Sequence, residues 1–404
     1  MGFDSLETRS PEQRAEDLAR ALPAQIARAR ALPGYAESLA GIDPAAIRSA
    51  ADLAALPVLR KSDLVAAQRR APPLGGYAPA GAAQYFQSPG PIYEPGGTGP
   101  DWWRLGRFLH ACGIGPDDIV QNCFSYHLTP AGMIFENGAR AVGAAVVPAG
   151  TGQTELQARA AHDLGVTAYA GTPDFLKVIL DKADELGLPL KITRAAVGGG
   201  ALFPAMRAEY ADRGIACLQC YATADLGNIA YESPAMEGMI VDEGVIVEIV
   251  RPGTGDPLPE GEVGEVVVTT LNPDYPLIRF ATGDLSAVLP GISPCGRTNM
   301  RIKGWMGRAD QTTKIKGMFV RPEQVADFLR RHPELRRARV IAMREGAMDV
   351  MLVQVEAGSD AQDPAVYAAS AADVLKLKGS VEIVPVGTLP NDGKVIEDRR
   401  SYET

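Results

Sequence analysis

From Ile119 to Tyr221 the chain repeats one rhythm: a short apolar run, a loop, an amphipathic helix, then the next apolar run. The runs are Ile119 to Phe124, Ala144 to Pro148, Ala168 to Ala170, Arg194 to Val197 and Ala216 to Tyr221. Between them the spacing predicts helices from about Pro130 to Val142, after the Gly-Thr-Gly-Gln-Thr stretch, from Pro173 to Leu186 and from Pro204 to Arg213. Strand, loop and helix repeated in this way predict a parallel sheet with helices on its faces and ligand loops at the carboxyl ends of its strands. Five or so such units make a large domain.

The rhythm changes on either side. A Ser10 N-cap and Pro11 at the first helical position open an Ala/Leu/Arg helix over 10–32. A further helix is expected at about 101–113. From Pro72 to Pro100, Gly and Pro are too frequent for long regular elements, which predicts an extended loop. Between about 238 and 290, period-two strands such as Val245 to Arg251 and Gly264 to Leu271 read as an appended antiparallel sheet. Past Asp310 a separate α+β unit is expected: strands near 312–315, 337–343, 349–355 and 381–384, and helices at 322–331 and 364–377. The expected fold is α/β, with a large N-terminal domain over 1–309 and a small mobile C-terminal α+β domain over 310–404.

A chain of 404 residues, 46% hydrophobic and 22% charged, has ample material for two cores. Its net charge of -9 gives no general attraction to nucleic acid or to an anionic membrane surface, so neither is expected as a partner. No apolar stretch approaches the roughly 20 residues of a membrane span, and the polar N-terminus has no leader character. Cys112, Cys123, Cys217, Cys220 and Cys295 are odd in number and scattered, which points to thiols in a reducing, cytoplasmic compartment. Cys217 and Cys220 form C-x-x-C, but with no second pair they read as core residues rather than a zinc site.

Four stretches carry chemistry: Arg279-Phe280-Ala281-Thr282-Gly283-Asp284; Gly307-Arg308-Ala309-Asp310 followed by Lys314 and Lys316-Gly317; Leu389-Pro390-Asn391-Asp392-Gly393-Lys394; and Gln219-Cys220-Tyr221-Ala222-Thr223-Ala224-Asp225. Each alone is ordinary, since Thr-Gly-Asp is a turn and a Gly-Lys turn is usually solvated. Together, in this order and with the second at the expected domain joint, they resemble the phenylacetate-CoA ligase branch of the adenylate-forming superfamily over residues of about 100 to 400. That resemblance implies ATP-dependent activation of a small carboxylic acid, aromatic or arylacetic, to an acyl-adenylate, then transfer of the acyl group to coenzyme A. It implies that Asp284 accepts hydrogen bonds from the ribose hydroxyls, Arg308 also meets the ribose, Asp310 is the hinge, and Gly317 borders the coenzyme A tunnel. Lys394 is the implied catalytic lysine, bridging the carboxylate and the α-phosphate from the small domain.

By the same resemblance Tyr221 stacks on the adenine of ATP or AMP beside Ala222, Thr223 touches the α-phosphate and Asp225 holds Mg²⁺. Gly198, Gly199, Gly200, Ala201 and Leu202 resemble the family's adenine wall, where absent side chains let a flat base lie on the backbone. The acyl pocket is expected among Tyr126, His127 and Leu128, with Ala149, Gly150 and Thr151, and Gly171, Thr172 and Pro173. His127, and Trp102 and Trp103 beside the glycine loop, have equally ordinary structural readings.

One stretch departs from the family. The phosphate loop region, Ser88-Pro89-Gly90-Pro91-Ile92-Tyr93-Glu94-Pro95-Gly96-Gly97-Thr98-Gly99-Pro100, lacks the usual Ser/Thr cluster and lysine, and its prolines remove amide donors. Pyrophosphate would then fall to Ser88, Thr98 and Mg²⁺, or to basic side chains from elsewhere, with Glu94 expected at a solvated rim. Two alternatives stay open: transfer to a carrier-protein thiol, with Arg330, Arg331, Arg336, Arg337 and Arg339 as a docking patch, and a nucleotide-binding pseudoenzyme. The assembly is also open, with a homodimer as one candidate.

Overall fold

The computed structural model describes residues 2–88, 92–309, 311, 313–316, 318–345, 348–359 and 363–400. The expected hinge Asp310 and the tunnel glycine Gly317 lie outside them. The chain divides into two compact units, one of Met1–Val247, Val268–Phe280 and Leu289–Gly304, the other of Glu248–Val267, Ala281–Val288 and Trp305–Thr404.

In the first unit the repeating segment forms five parallel strands ordered Ala145–Pro148, Ile119–Asn122, Ala168–Gly171, Arg194–Val197 and Ala216–Thr223. Alternate residues serve opposite cores, as in a sheet covered on both faces. Val120, Ala168, Ala170, Ala196, Leu218 and Cys220 pack with Phe108, Phe124 and Phe135, whereas Tyr169, Ala195, Val197 and Cys217 pack with Leu176, Leu180 and Tyr210. Cys217 and Cys220 thus belong to opposite faces and cannot share a metal. The sheet then turns antiparallel through Gly227–Tyr231, Met239–Val241 and Arg301–Ile302.

Ile119–Asn122 lies between the strand that follows it and the one after that. The strand order reverses there, and in open α/β sheets the crevice at such a reversal is where ligands bind.

The N-terminal helix runs Pro11–Arg30, with Ser10 and Gln13 completing a capping box. Two expectations are corrected. The helix predicted at 101–113 is only Gly106–Ala111. Asp101 and Arg104 take φ of 48° and 63°, and the Asp101 carboxylate accepts from the Gly106 amide at 2.9 Å, so the preceding residues form a turn. Within the Gly/Pro-rich 72–100 stretch, Gln84–Ser88 and Ile92–Gly96 pair as an antiparallel hairpin, from Ser88 opposite Ile92 to Gln84 opposite Gly96.

Val245–Val250, Gly264–Thr270 and Phe280–Ser286 form the appended antiparallel sheet with Leu59–Arg60. The rest of the second unit holds a two-stranded pair, Thr313–Ile315 with Met318–Val320, and a four-stranded sheet ordered Ser380–Pro385, Met348–Ala357, Leu335–Glu345 and Ile396–Asp398. Helices Pro322–Arg331 and Pro364–Leu375 pack on it through Val325, Phe328, Tyr367, Ala371 and Leu375. Ile396–Asp398, parallel to Val340–Ala342, is the one strand of this sheet that periodicity did not predict, because three residues carry no period.

Candidate functional site

The candidate residues fall into two sets, one in each unit. In the first unit, three loops at the strand reversal carry the acyl-pocket candidates. Asn122, 1% exposed at the end of its strand, donates to the Tyr126 hydroxyl at 2.7 Å and to the Gly132 carbonyl at 2.8 Å. Its own carbonyl accepts from the Gly150 amide at 3.0 Å. Tyr126, through the Asn122 side chain, and Gly150, through its main chain, are therefore gathered around one buried residue that sequence reasoning passed over, although a polar residue inside the apolar run 119–124 was its signal. Burial raises the Tyr126 phenol above its ordinary range.

Thr172 caps the helix Pro173–Glu185 after the next strand. A side chain on Gly199 would meet Phe124 at 3.6 Å and Thr172 at 3.9 Å, so the adenine-wall glycines adjoin the acyl-pocket candidates. Gly199 has φ of +68°, and Gly199, Gly200 and Ala201 are exposed. His127 is exposed, and its backbone amide donates to Ser125 Oγ at 3.2 Å.

Tyr221 is buried two residues before the end of its strand, and the register against Gly227–Tyr231 shifts between Tyr221 and Ala222. The Thr223 hydroxyl accepts from the Leu226 amide at 3.2 Å. The Asp225 carboxylate is 2% exposed and meets the Lys61 ammonium at 3.0 Å through Oδ2. Its Oδ1 is buried with no hydrogen-bond partner among the described residues.

Lys61, 164 positions away in sequence, was not a candidate, and nothing local could have marked it. The free carboxylate oxygen suits Mg²⁺ held in the manner usual for nucleotide sites, by one or two carboxylates plus phosphate oxygens. Among the described residues no group of three acidic, His or Cys side chains forms a cage of its own.

The phosphate-loop residues are rearranged relative to expectation. Glu94 is not at a solvated rim but 0% exposed, hydrogen-bonded to the Ser88 hydroxyl. Burial first, and then the charge of Asp225, push its carboxyl up to about 8, against the pull of the Ser88 bond. A charged residue in a Gly/Pro-rich loop reads as solvated, but here the hairpin turns it inward.

Ser88 pairs with Ile92 at the turn end of that hairpin, whereas Thr98 lies two residues past Gly96, the partner of Gln84 at the other end. Thr98 borders an open cleft with Gly96, Gly97, Trp102 and Asp274. Trp103 is core, edge-on to Phe86, while the Trp102 indole donates to Asp274 at 2.8 Å.

In the second unit, Asp284 Oδ1 accepts from the Arg308 guanidinium at 2.8 Å and from the Trp305 indole at 3.1 Å. The strand bearing Asp284 pairs with the Arg308 segment by backbone bonds, Leu285 N to Gly307 O at 2.9 Å and Ala309 N to Gly283 O at 2.7 Å. Lys394 is exposed at the end of a turn, where its amide donates to Asp392 Oδ1 at 3.0 Å. Gly393 takes φ of +69°, and a side chain there would meet Val263 at 2.8 Å and Leu285 at 3.0 Å. The lysine's turn thus packs on the residue next to Asp284. Of the expected basic docking patch, Arg330 pairs with Asp327, Arg331 with Asp373, Arg337 with Glu262 and Arg339 with Asp392.

Comparison with known proteins fixes the family. The phenylacetate-coenzyme A ligase of Thermus thermophilus is 30% identical over 336 residues, spanning 78% of this chain and 75% of that protein. This chain belongs to the phenylacetate-coenzyme A ligase family. Ligases of that name from Aromatoleum evansii and Escherichia coli are also 30% identical, over 80% and 78% of this chain and 76% of each relative. The family model described as AMP-binding enzyme matches residues 104–272, from Arg104 through the Tyr221–Asp225 stretch. Among solved structures, an open conformation of 2-hydroxyisobutyryl-CoA ligase in complex with 2-HIB-AMP and CoA superposes with a TM-score of 0.71. At 22% identity over 95% of this chain and 91% of that one, it shows that this phenylacetate-coenzyme A ligase family member has the same fold. No helix among the described residues is long and apolar enough to cross a membrane.

Proposed function

We propose that this chain joins a small aromatic or arylacetic acid to coenzyme A, consuming ATP and releasing AMP and pyrophosphate. A carboxylate oxygen attacks the α-phosphorus of ATP, the bond from that phosphorus to the bridging oxygen breaks, and pyrophosphate leaves with the electron pair. The thiolate of coenzyme A then attacks the acyl carbonyl carbon, and AMP leaves as the carbon–oxygen bond breaks. The relatives' names support the acid class, as do the aromatic and small residues, Phe124, Tyr126, Gly150 and Thr172, at the strand reversal.

The observation that carries the reading is the gathering of three sequence-distant stretches in the second unit: the Asp284–Arg308 pair at 2.8 Å and the Gly393-Lys394 turn packed against Leu285. Asp284 and Arg308 hold the ribose, and the Lys394 ammonium offsets negative charge growing at the α-phosphate. Tyr221 and the Gly199–Ala201 backbone take the adenine, and Thr223 the α-phosphate. Mg²⁺, when bound through Asp225, supplies charge neutralisation for the phosphates. We assign the moving element to 310–404 with Asp310 as hinge and Gly317 at the thiol's entry, and the cytoplasm as location, consistent with free, mostly buried cysteines.

Transfer to a carrier protein is disfavoured because most of the arginines of the candidate docking patch are already paired with acids. The test is pyrophosphate release across aryl, arylacetic and short aliphatic acids, with and without coenzyme A, for the wild type and Lys394→Ala. Acid-dependent release that falls about 10²- to 10³-fold in Lys394→Ala is expected. Release unchanged in that variant would overturn the mechanism. No release with any acid, while nucleotide still binds, would leave the pseudoenzyme.

A further inference from the structure

A lysine on a long flexible stem places its charge only as well as its backbone is held. The turn 389–395 has little regular pairing of its own, with Val340 N to Val395 O at 2.9 Å among the few backbone bonds. Side chains hold it instead. Buried Glu356 accepts from the Leu389 amide at 2.7 Å. Arg339 donates to the Pro390 carbonyl at 3.3 Å and pairs with Asp392.

Gln311 clasps the far side. Its Nε2 donates to the Gly393 carbonyl at 3.0 Å and its Oε1 accepts from the Val395 and Ile396 amides at 2.6 and 2.9 Å. The same Nε2 lies 3.4 Å from the carbonyl of Arg308, tying the lysine's turn to the arginine that pairs with Asp284.

Glu356, Arg339 and Gln311 all belong to the continuous segment from Trp305 onward, so they travel with the turn if that segment moves as a piece. Asn391 does not. Its Oδ1 accepts from the Val263 amide at 3.0 Å and its Nδ2 donates to the Gly261 carbonyl at 3.1 Å, both in the turn leading into strand Gly264–Thr270. One side-chain amide meets a backbone donor and acceptor two residues apart, which fixes the turn in direction as well as distance. The Arg337–Glu262 pair at 3.4 Å reaches the same turn, but with both side chains about a quarter exposed it adds little direction.

We infer that Asn391 is a positioning residue for adenylation: its two-point clasp on Gly261 and Val263 holds the Lys394 turn against the strand of Asp284, and must open before the thioester step. This rests on the function proposed above and adds to it a residue that serves one half-reaction. Asn391 touches no reacting atom, so its loss acts through the placement of Lys394.

The test separates the half-reactions in the full-length protein. Adenylation is read as acid-dependent pyrophosphate release, and the thioester step as conversion of a chemically prepared acyl-adenylate with coenzyme A. Asn391→Ala should lower the adenylation kcat on the order of 10- to 100-fold with the KM for ATP little changed. It should leave the thioester step within about twofold of wild type. Asn391→Asp keeps the acceptor for Val263 and loses the donor to Gly261, so it should fall between the two. Equal losses in both steps, or a loss confined to the thioester step, would overturn the inference while wild-type release upholds the proposed reaction. Wild type that makes thioester from the adenylate but releases no pyrophosphate would refute the ATP-dependent reading and this inference with it.

Discussion

Glu94 makes the stability of this protein depend on pH in a direction opposite to most carboxylates. Its carboxyl is 0% exposed and titrates at about 8 in the fold, against 4.5 in an unfolded chain. Below pH 4.5 both states hold the proton, so the group is neutral to stability. Between 4.5 and about 8 the unfolded chain ionises and the folded chain does not. The folded state then binds more protons, and stability falls as pH rises by about 1.4 kcal/mol per unit. Integrated from about pH 5 to about pH 8, the loss is about 3 to 4 kcal/mol.

Glu94→Gln removes the ionisable group while keeping the shape and an acceptor for Ser88. Urea unfolding followed by tryptophan fluorescence at pH 5, 6, 7 and 8 checks it, because every other titrating group cancels when variant and wild type are compared at one pH. The variant should gain on the wild type steadily, with the gap widening by about 3 to 4 kcal/mol across the range. A gap that stays constant from pH 5 to pH 8 would refute the burial argument.

Three further outcomes follow. Lys61→Met leaves the Asp225 carboxylate buried without its cation and should cost about 1 to 3 kcal/mol; combined with Asp225→Asn the loss should be smaller than the sum, measured as coupling in a double-mutant cycle. Cys295 should be the thiol alkylated first by iodoacetamide, with a rate rising to half-maximum near about pH 7. Burial there is outweighed by hydrogen bonds from Ser233, Ser293 and Arg297, which lower its thiol to about 7, whereas burial pushes Cys123 and Cys217 up to about 12. Peptide mapping in which Cys123 or Cys217 reacts first would contradict this. Gly393→Ala places a methyl against Val263 and Leu285 at a φ of +69°, so it should slow pyrophosphate release by about tenfold or more while circular dichroism stays unchanged.

The sequence by itself determined the elements and their class. Apolar runs of three to six residues separated by amphipathic helices can bury both faces only as a parallel α/β sheet, and that periodicity is local enough to read directly. The helix Pro322–Arg331 and the strand Arg194–Val197 were legible to the residue for this reason. The motif stretches were legible because short turns such as Thr282-Gly283-Asp284 and Asp392-Gly393-Lys394 carry their chemistry within a few residues.

Only the tertiary structure decided which of those residues meet. Strand order set the reversal at Ile119–Asn122 and so gathered Tyr126, Gly150 and Thr172 on neighbouring loops. The Lys61–Asp225 pair spans 164 positions, the Asn391 bonds 128 and 130, and the Gln311 clasp 82 to 85. No local pattern encodes such contacts. Glu94 was misjudged for the same reason: its charge is a local property, but its burial depends on what the folded chain lays over it.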